Sequence, residues 1–289
     1  MLFAEPPPFE KLNFFGALEL GLYSMVIGYY VFTFAYFIVI RYRTSKKIYW
    51  LLFALLSLFL AIARGFFIAY YFFIPELSVI GVDNYTIGLN LMTAYRVATF
   101  FTWMGITCIV GVLGILLLPT PVDRDRKIEA KNQIKAKLIE LFNNDKVRYV
   151  IRTLLILLPF TLGILALVLP PYLFIDPEVN ATYGMGYNLD AYLVGNYPIG
   201  RFVLNTLFLP LLIFMVPLIF IYLAWKTFGV LRKSYGLNAM AFIIYLAARL
   251  CQYAFESVGW SHMSATIPPL LIILSLLMIA IANNVEQLK

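Results

Sequence analysis

Cysteine, histidine and charged residues are scarce in this chain, and each scarcity excludes a class of protein. Only two of the 289 residues are cysteines, Cys108 and Cys251, and both fall inside long apolar runs, which excludes an extracellular disulfide framework. The single histidine, His262, argues against bis-histidine haem and histidine-rich metal sites. Charged residues make up 13% of the chain, against about 25% in soluble domains, and 62% of the residues are hydrophobic. These proportions indicate a membrane protein.

Seven long apolar runs divide the sequence. Each is close to or longer than the ~20 residues that a helix needs to cross a bilayer core. The predicted spans are 14–40, 48–74, 90–118, 153–175, 201–226, 239–260 and 267–284. In lipid the backbone must satisfy its own hydrogen bonds, and the sequence lacks the alternating ~10-residue segments of a β-barrel. The chain is therefore predicted to be all-α, with residues 1–289 forming one polytopic domain, a bundle of seven transmembrane helices.

Basic residues fall in every second gap between these runs. The gaps after the first, third and fifth runs, together with the C-terminus, hold 17 of the 22 lysines and arginines. The alternate gaps and the N-terminal segment hold seven acids and one lysine. The positive-inside rule then predicts an N-terminus outside and a C-terminus in the cytoplasm. We expect a multi-pass protein of the plasma membrane, whose net charge of +7 reflects topology and attraction to an anionic inner leaflet rather than nucleic-acid binding.

Two kinds of loop signal accompany this topology. In the longest cytoplasmic gap, Ile134, Leu138 and Leu141 recur at helical spacing, which predicts an interfacial helix within 123–150. A docking helix for a cytoplasmic signalling protein has the same pattern. Asn84 and Asn180 each begin an Asn-x-Thr sequon in a gap assigned to the outside, so both are glycosylation candidates.

Polar and charged residues inside the apolar runs are the candidate functional residues. A charge at the bilayer centre costs about 2.5–3.5 kcal/mol on insertion scales, so retained charges usually face the bundle interior and mark function. On the sixth run the polar residues recur on one helical face. The candidate ligand-binding residues are Glu19, Arg64, Arg96, Trp103, Arg201, Tyr245, Arg249, Gln252 and Glu256.

This set of residues predicts a polar, aromatic-walled chamber in the outer half of the bundle, open to the outside. Its four arginines and two glutamates leave an excess of positive charge. The chamber therefore favours an anion, such as a carboxylate, a phosphate or a lipid headgroup, held by arginine forks. The alternative is a purely structural polar core, in which the glutamates neutralise two arginines and backbone carbonyls freed by Pro210 or Pro217 satisfy another.

Known motifs do not identify the function. The sequence has no His-Glu-x-x-His helix and no Gly-x-Ser-x-Gly elbow, and no lysine lies in the core of a predicted span for a retinal Schiff base. We therefore expect neither an enzyme nor a cofactor. The architecture is similar to that of G-protein-coupled receptors, but the sequence lacks the Cys-Trp-x-Pro and Asn-Pro-x-x-Tyr motifs of the rhodopsin-like pattern. It also lacks the Pro-Gln motif of SWEET-type sugar transporters.

Two functions fit these observations. The first is a receptor-like protein that binds a small anionic or lipid-like ligand from outside and signals to a separate cytoplasmic partner. The second is a transporter or channel for an anion or small solute. Arg64 lies 17 residues beyond Lys47 and Arg249 lies 16 beyond Lys233, which suggests parallel repeats of helices 1–3 and 5–7 joined by helix 4. Polar groups on the inner half of the path would favour a transporter, and apolar packing there would favour a sensor.

Overall fold

The computed structural model of the protein describes residues 14–117, 145–195, 197–258 and 260–284. Within these ranges seven helices are long and apolar enough to cross a membrane. They are α1 (Phe14–Ser45), α2 (Ile48–Ser78), α3 (Asn84–Leu117), α4 (Asp145–Val168), α5 (Ile199–Lys226), α6 (Gly229–Val258) and α7 (Ser261–Ala282). The predicted all-α bundle of seven membrane-spanning helices is confirmed, and the protein is a multi-pass integral membrane protein.

Left-handed residues and a capping carboxylate mark the turns between helices. Lys46, with φ of 55°, separates α1 from α2, and Gly229, with φ of 64°, opens α6 directly after α5. At the start of α3, the carboxylate of Asp83 accepts a hydrogen bond from the backbone N–H of Thr86 at 2.9 Å. Hydrogen bonds from Thr86 lower the pKa of Asp83, since they favour its charged form. These short connections fix consecutive helices in antiparallel order.

The bounds of α4 differ from the predicted span 153–175. This helix ends at Val168 because Pro170 and Pro171 follow, and the residue before a proline avoids the helical region. It begins at Asp145, so residues 145–150 of the predicted interfacial helix belong to a membrane-spanning helix. The rest of that prediction, 123–144, lies outside the described residues.

Several membrane-spanning helices depart from regular α geometry. The π-helical turns are Tyr36–Tyr42 in α1, Ala69–Phe73 in α2 and Phe202–Phe208 in α5. Prolines lie inside α4 at Pro159, inside α5 at Pro210 and Pro217, and inside α7 at Pro268 and Pro269. Because α5 has both a π-helical turn and internal prolines, its backbone is among the least regular of the bundle.

Six of the seven helices form a closed ring, and α4 packs outside it. Around the ring the neighbours are α1, α2, α3, α5, α6 and α7, with α7 returning to α1. The thinnest contact in this ring is the seam between α3 and α5, whereas α4 packs mainly against α3. This order places the first three helices and the last three in equivalent halves, as a parallel repeat requires.

The two ends of the bundle carry different connections. The basic end comprises the α1–α2 turn, the start of α4, the α5–α6 turn and the end of α7. The acidic end comprises the α2–α3 turn, the α4–α5 connection and the α6–α7 turn. Between α4 and α5 lie a short helix, Pro177–Thr182, and an antiparallel pair of strands, β1 (Leu193–Val194) and β2 (Tyr197–Pro198). That the basic end faces the cytoplasm stays a prediction.

Two hydrophobic clusters form the core. One lies inside the ring and includes Val26, Phe37 and Phe220. The other lies between α3, α4 and the acidic-end connection, and includes Trp103 and Phe174. The first cluster surrounds a central cavity.

Candidate functional site

A central cavity lies inside the helix ring. It leaves about 70 Å³ for the centres of water-sized molecules, and the space between its lining atoms, counted up to and including its openings, is about 740 Å³. All six ring helices line it, and α4 contributes no lining residue.

Two arginines and two tyrosines form the polar end of this cavity. Tyr30, Tyr245 and Arg249 line the cavity itself, and they also line an adjoining recess that contains Arg64. The hydroxyls of Tyr30 and Tyr245 share a hydrogen bond, and Arg249 donates to Tyr245. Opposite them the Arg64 guanidinium carbon lies 4.2 Å from the centre of the Tyr23 ring. We call this group the arginine–tyrosine cluster: Tyr23, Tyr30, Arg64, Tyr245 and Arg249.

Arg64 is buried without an acceptor. Its exposed fraction is 7%, and it makes no hydrogen bond or ion pair with any residue that the structure describes. Its closest described interactions are with the face of Tyr23 and with the Tyr30 and Tyr245 hydroxyls. A guanidinium has five N–H donors, and buried charges are normally paired. The cluster therefore presents unused donors and positive charge to the recess beside the cavity.

Beyond the cluster, towards the basic end, the cavity walls are apolar. Phe37, Phe53 and Ile279 are among the lining residues there. The hydroxyls of Thr33, Ser57 and Thr102 also line it, but each donates to a backbone carbonyl of its own helix, at 2.7, 3.1 and 2.9 Å. These three hydroxyls therefore offer the cavity little hydrogen-bonding capacity.

A polar network closes the basic end below the cavity. Arg41 donates to the Tyr36 hydroxyl at 2.8 Å and to Asn284 Oδ1 at 2.9 Å, and it also donates to the Asn283 carbonyl. Asn283 in turn donates to the side chain of Asn238 in α6. The Arg41 guanidinium also lies 5.3 Å from the Trp50 ring of α2. This basic-end network joins α1, α2 and α6 to the end of α7.

The chamber differs from the sequence-based expectation in direction and in polarity. On every ring helix its lining runs from the level of Arg64 and Arg249 towards the basic end rather than towards the acidic end. Its lining is mostly apolar, and the polar groups gather at one end. The reason is that residues on the basic side of Arg64 and Arg249, such as Leu60 and Phe242, continue the helical faces with aliphatic and aromatic side chains.

Arg96 and Arg201 lie apart from the arginine–tyrosine cluster. Arg96 donates to the carbonyls of Ala166, Leu167 and Leu169, two of these bonds measuring 2.9 Å to Ala166 and 2.6 Å to Leu169, and so caps the end of α4. The last carbonyl groups of a helix have no hydrogen-bond donor within the helix, and Arg96 supplies donors to three carbonyls at this end. Arg96 therefore has acceptors that Arg64 lacks.

Arg201 holds the acidic-end connection against the bundle. It donates to the Phe174 carbonyl at 2.6 Å and pairs with Asp176 at 2.9 Å. Its guanidinium carbon also lies 3.8 Å from the centre of the Tyr95 ring, whose hydroxyl accepts a hydrogen bond from Asn205. This arginine is satisfied by a carboxylate, a carbonyl and an aromatic face.

Of the remaining candidate residues, Trp103, Glu19 and Gln252 do not line the cavity. Trp103 is fully buried between α3 and α4, and its indole N–H has no hydrogen-bond partner among the described residues. Glu19 and Gln252 are partly buried, in α1 and α6, and each makes contacts of its own. The side chain of Glu256 lies outside the described part of the structure. Of the eight candidates whose side chains the structure describes, Arg64, Tyr245 and Arg249 thus come together.

Tyr23 and Tyr30 are the cluster members that the candidate set omitted. They lie seven residues apart on α1, which places them on one helical face. Both are buried, with exposed fractions of 3%. The sequence shows the shared face, but only the packing of α1 against α2 shows that this face meets Arg64.

The two sequons have different surroundings. Asn84 is exposed at the start of α3. The Asn180 side chain instead exchanges hydrogen bonds with the backbone of Tyr187, at 2.9 and 3.2 Å. Asn180 would have to give up these bonds before modification, so Asn84 is the better placed of the two candidates.

Comparison with known proteins adds no further assignment: no family model, curated protein or solved structure matches this chain.

Proposed function

We propose that this integral membrane protein is a receptor-like sensor that binds an oxyanion at Arg64 and Arg249 and relays its occupancy to a separate cytoplasmic partner. The observation that carries the proposal is Arg64, a buried cation beside a cavity with no acceptor among the described residues. A carboxylate or phosphate would supply the missing acceptors in the fork geometry that arginine favours. No described carboxylate lines the cavity or the recess to compete with it.

A sensor fits the cavity better than a carrier does. Between the arginine–tyrosine cluster and the basic end, an anion would have to pass apolar walls whose hydroxyls are already bonded. An unpaired charge in such surroundings is strongly disfavoured. The basic-end network then closes the path across α1, α2, α6 and α7.

The route for the signal follows from the ring. Arg64 and Arg249 lie on α2 and α6, in opposite halves, so a shared ligand would draw the two halves towards it. The thin α3–α5 seam and the irregular backbone of α5 are where such a movement meets least resistance. Both helices reach the basic end, where a cytoplasmic partner would contact the loops.

The test is ligand-dependent stabilisation of the purified protein. Acetate, octanoate, inorganic phosphate and octyl phosphate are added to protein in detergent, and the unfolding midpoint is followed. A bound ligand raises stability by RT ln(1 + [L]/Kd). We expect at least one oxyanion to raise the midpoint, and Arg64→Met or Arg249→Met to weaken its binding roughly 10- to 100-fold.

Arg43→Met is the matched control, because Arg43 is exposed at the basic end and does not line the cavity. It should leave binding unchanged. Equal losses in the control and in both cluster variants would contradict a site at Arg64 and Arg249.

Transport of an anion is the second candidate, favoured by the ring order. The equivalent halves, with one arginine from each, are the arrangement of a parallel-repeat transporter. Flux in proteoliposomes separates the two functions. Saturable binding without uptake supports the sensor, whereas protein-dependent uptake that Arg64→Met abolishes would replace it with a transporter.

A further inference from the structure

The cavity is much longer than an oxyanion site needs. Measured along α2, its lining extends from Leu60 to Phe53, two helical turns or about 10 Å, and Arg64 in the adjoining recess lies about one turn beyond Leu60. Along α1 it extends two turns, from Tyr30 to Phe37. A carboxylate or phosphate bound to the arginines would occupy only the polar end of the cavity. The apolar remainder of the cavity would not be filled by such a small anion.

We infer that the ligand is an amphipathic oxyanion with a single apolar tail, its head bound by Arg64 and Arg249 and its tail extended through the cavity towards the basic end. This inference rests on the proposed oxyanion site and specifies what occupies the rest of the cavity. A long-chain carboxylate and an alkyl phosphate share the required chemistry.

The lining supports an apolar tail over a second polar group. Phe53, Ile213 and Leu276 provide carbon surface from three different helices. Among the described lining residues, the hydroxyls between them and the cluster are those of Thr33, Ser57 and Thr102, and each is bonded to its own helix. A polar tail would lose its hydration there without replacement, which is costly, whereas each buried methylene gains about 0.8 kcal/mol on leaving water, a factor of about four in affinity.

The ring also provides a route for a ligand dissolved in the bilayer. Thr102 and Ile106 of α3 and Leu209 and Ile213 of α5 line the cavity on both sides of the α3–α5 seam. This seam is the thinnest contact of the ring, and the π-helical turn Phe202–Phe208 lies beside it. An amphipathic molecule partitions into lipid, so it reaches this seam without passing the closed basic end.

The experiment compares carboxylates that share the same head group and differ only in the length of the alkyl chain. Binding of acetate, hexanoate, octanoate, decanoate, dodecanoate and hexadecanoate is measured by competition with radiolabelled dodecanoate in lipid nanodiscs, with empty nanodiscs subtracted. We expect affinity to rise about fourfold per added methylene and then to level off once the tail fills the cavity. Dodecyl phosphate should follow the carboxylate of equal length, and dodecanol should bind at least tenfold more weakly than dodecanoate.

Shortening the cavity gives a second readout. Ser57 lies two turns from Arg64, about 10 Å along α2, so Ser57→Leu should move the plateau to shorter tails and weaken hexadecanoate about tenfold while leaving hexanoate unchanged. Ser45→Leu is the matched control: Ser45 is exposed at the basic end, and its hydroxyl also bonds the carbonyl four residues earlier. If Ser57→Leu does not fold, the milder Ser57→Val replaces it.

The outcomes separate the inference from the proposal beneath it. Equal affinity for acetate and dodecanoate, with both dependent on Arg64, would overturn the tail and leave the oxyanion sensor standing. Equal affinity for dodecanol and dodecanoate would overturn the oxyanion site and the inference with it. A plateau that does not move in either Ser57 variant would also overturn the assignment of the tail to this cavity.

Discussion

The intramembrane arginines of this protein differ in their surroundings. Arg96 and Arg201 have carbonyl or carboxylate acceptors at 2.6–2.9 Å. Arg64 has aromatic faces and phenols instead, and Arg249 is bonded to a phenol at the cavity wall. Arg96 and Arg201 hold the end of α4 and the acidic-end connection in place. Arg64 presents its positive charge to the recess beside the cavity.

This contrast predicts opposite effects on stability. Arg96→Met should lower the free energy of unfolding by about 3 kcal/mol, because three carbonyls at the end of α4 lose their donor. In ligand-free protein Arg64→Met should leave stability unchanged or raise it, because it removes a buried charge that has no acceptor. Unfolding of the two variants is compared in the same detergent by circular dichroism. A loss of several kcal/mol in Arg64→Met would assign Arg64 a structural role and remove the main support for a ligand.

At the residue level the sequence predicts that charges point inward, but it does not predict which of them share a site. All four arginines fall within predicted apolar spans. The acceptors of Arg96 exist because Pro170 stops α4 and leaves carbonyls at its end. Those of Arg201 exist because the acidic-end connection folds back over α5. Neither position is encoded by helical spacing, so Arg96 and Arg201 have separate surroundings of their own instead of sharing one chamber with the arginine–tyrosine cluster.

At the level of elements, α4 is held to the bundle by a close contact with α3. A methyl group built on Gly163 would lie 2.7 Å from Met104 Cε and 3.0 Å from Trp103 Cβ. Small residues permit such close approach between membrane helices. Gly163 therefore determines how near α4 comes to the buried Trp103.

Enlarging Gly163 should weaken this contact without affecting the ring. Gly163→Val should destabilise the protein by about 1–3 kcal/mol, since Trp103 Cβ belongs to a buried, packed side chain. Binding at the cavity should persist, because α4 contributes no lining residue. Gly28→Val is the control, as a methyl group there meets nothing within 4 Å. Unfolding midpoints and ligand affinity are both measured, and a loss of affinity in folded Gly163→Val would show that α4 contributes to the site.

For the whole molecule, orientation is the prediction with the widest consequences. If the basic end faces the cytoplasm, the cavity extends from mid-membrane towards the inner leaflet. We expect Val194→Cys, at an exposed residue of the acidic end, to react with a membrane-impermeant maleimide on intact cells. Thr44→Cys, exposed at the basic end, should react only after permeabilisation. The variants are made in a Cys108→Ala, Cys251→Ala background, and the reverse labelling pattern would invert the topology.

The fold was predictable from the sequence because it depends on the composition and length of the apolar runs. In lipid the backbone of such a run must satisfy its own hydrogen bonds, and it does so as a helix. The cavity was not predictable, because it depends on which faces meet. Span 153–175 illustrates the limit: hydropathy continues to Ile175, but Pro170 ends the helix first. Likewise Leu60 and Phe242 read as ordinary apolar residues, and only the ring order shows that they line the chamber.

The position of α4 outside the ring affects the direction in which the later helices cross the membrane. Three crossings leave the chain on the side opposite to where it started. If α3 ran straight into α5, the second half would enter the membrane inverted, and α6 would run antiparallel to α2. One additional crossing restores the direction, so α2 and α6 both run from the basic end to the acidic end. The helix that contributes no described residue to the chamber's walls makes the total number of crossings odd, so Arg64 and Arg249 lie on helices that run in the same direction and meet at the same end of the cavity.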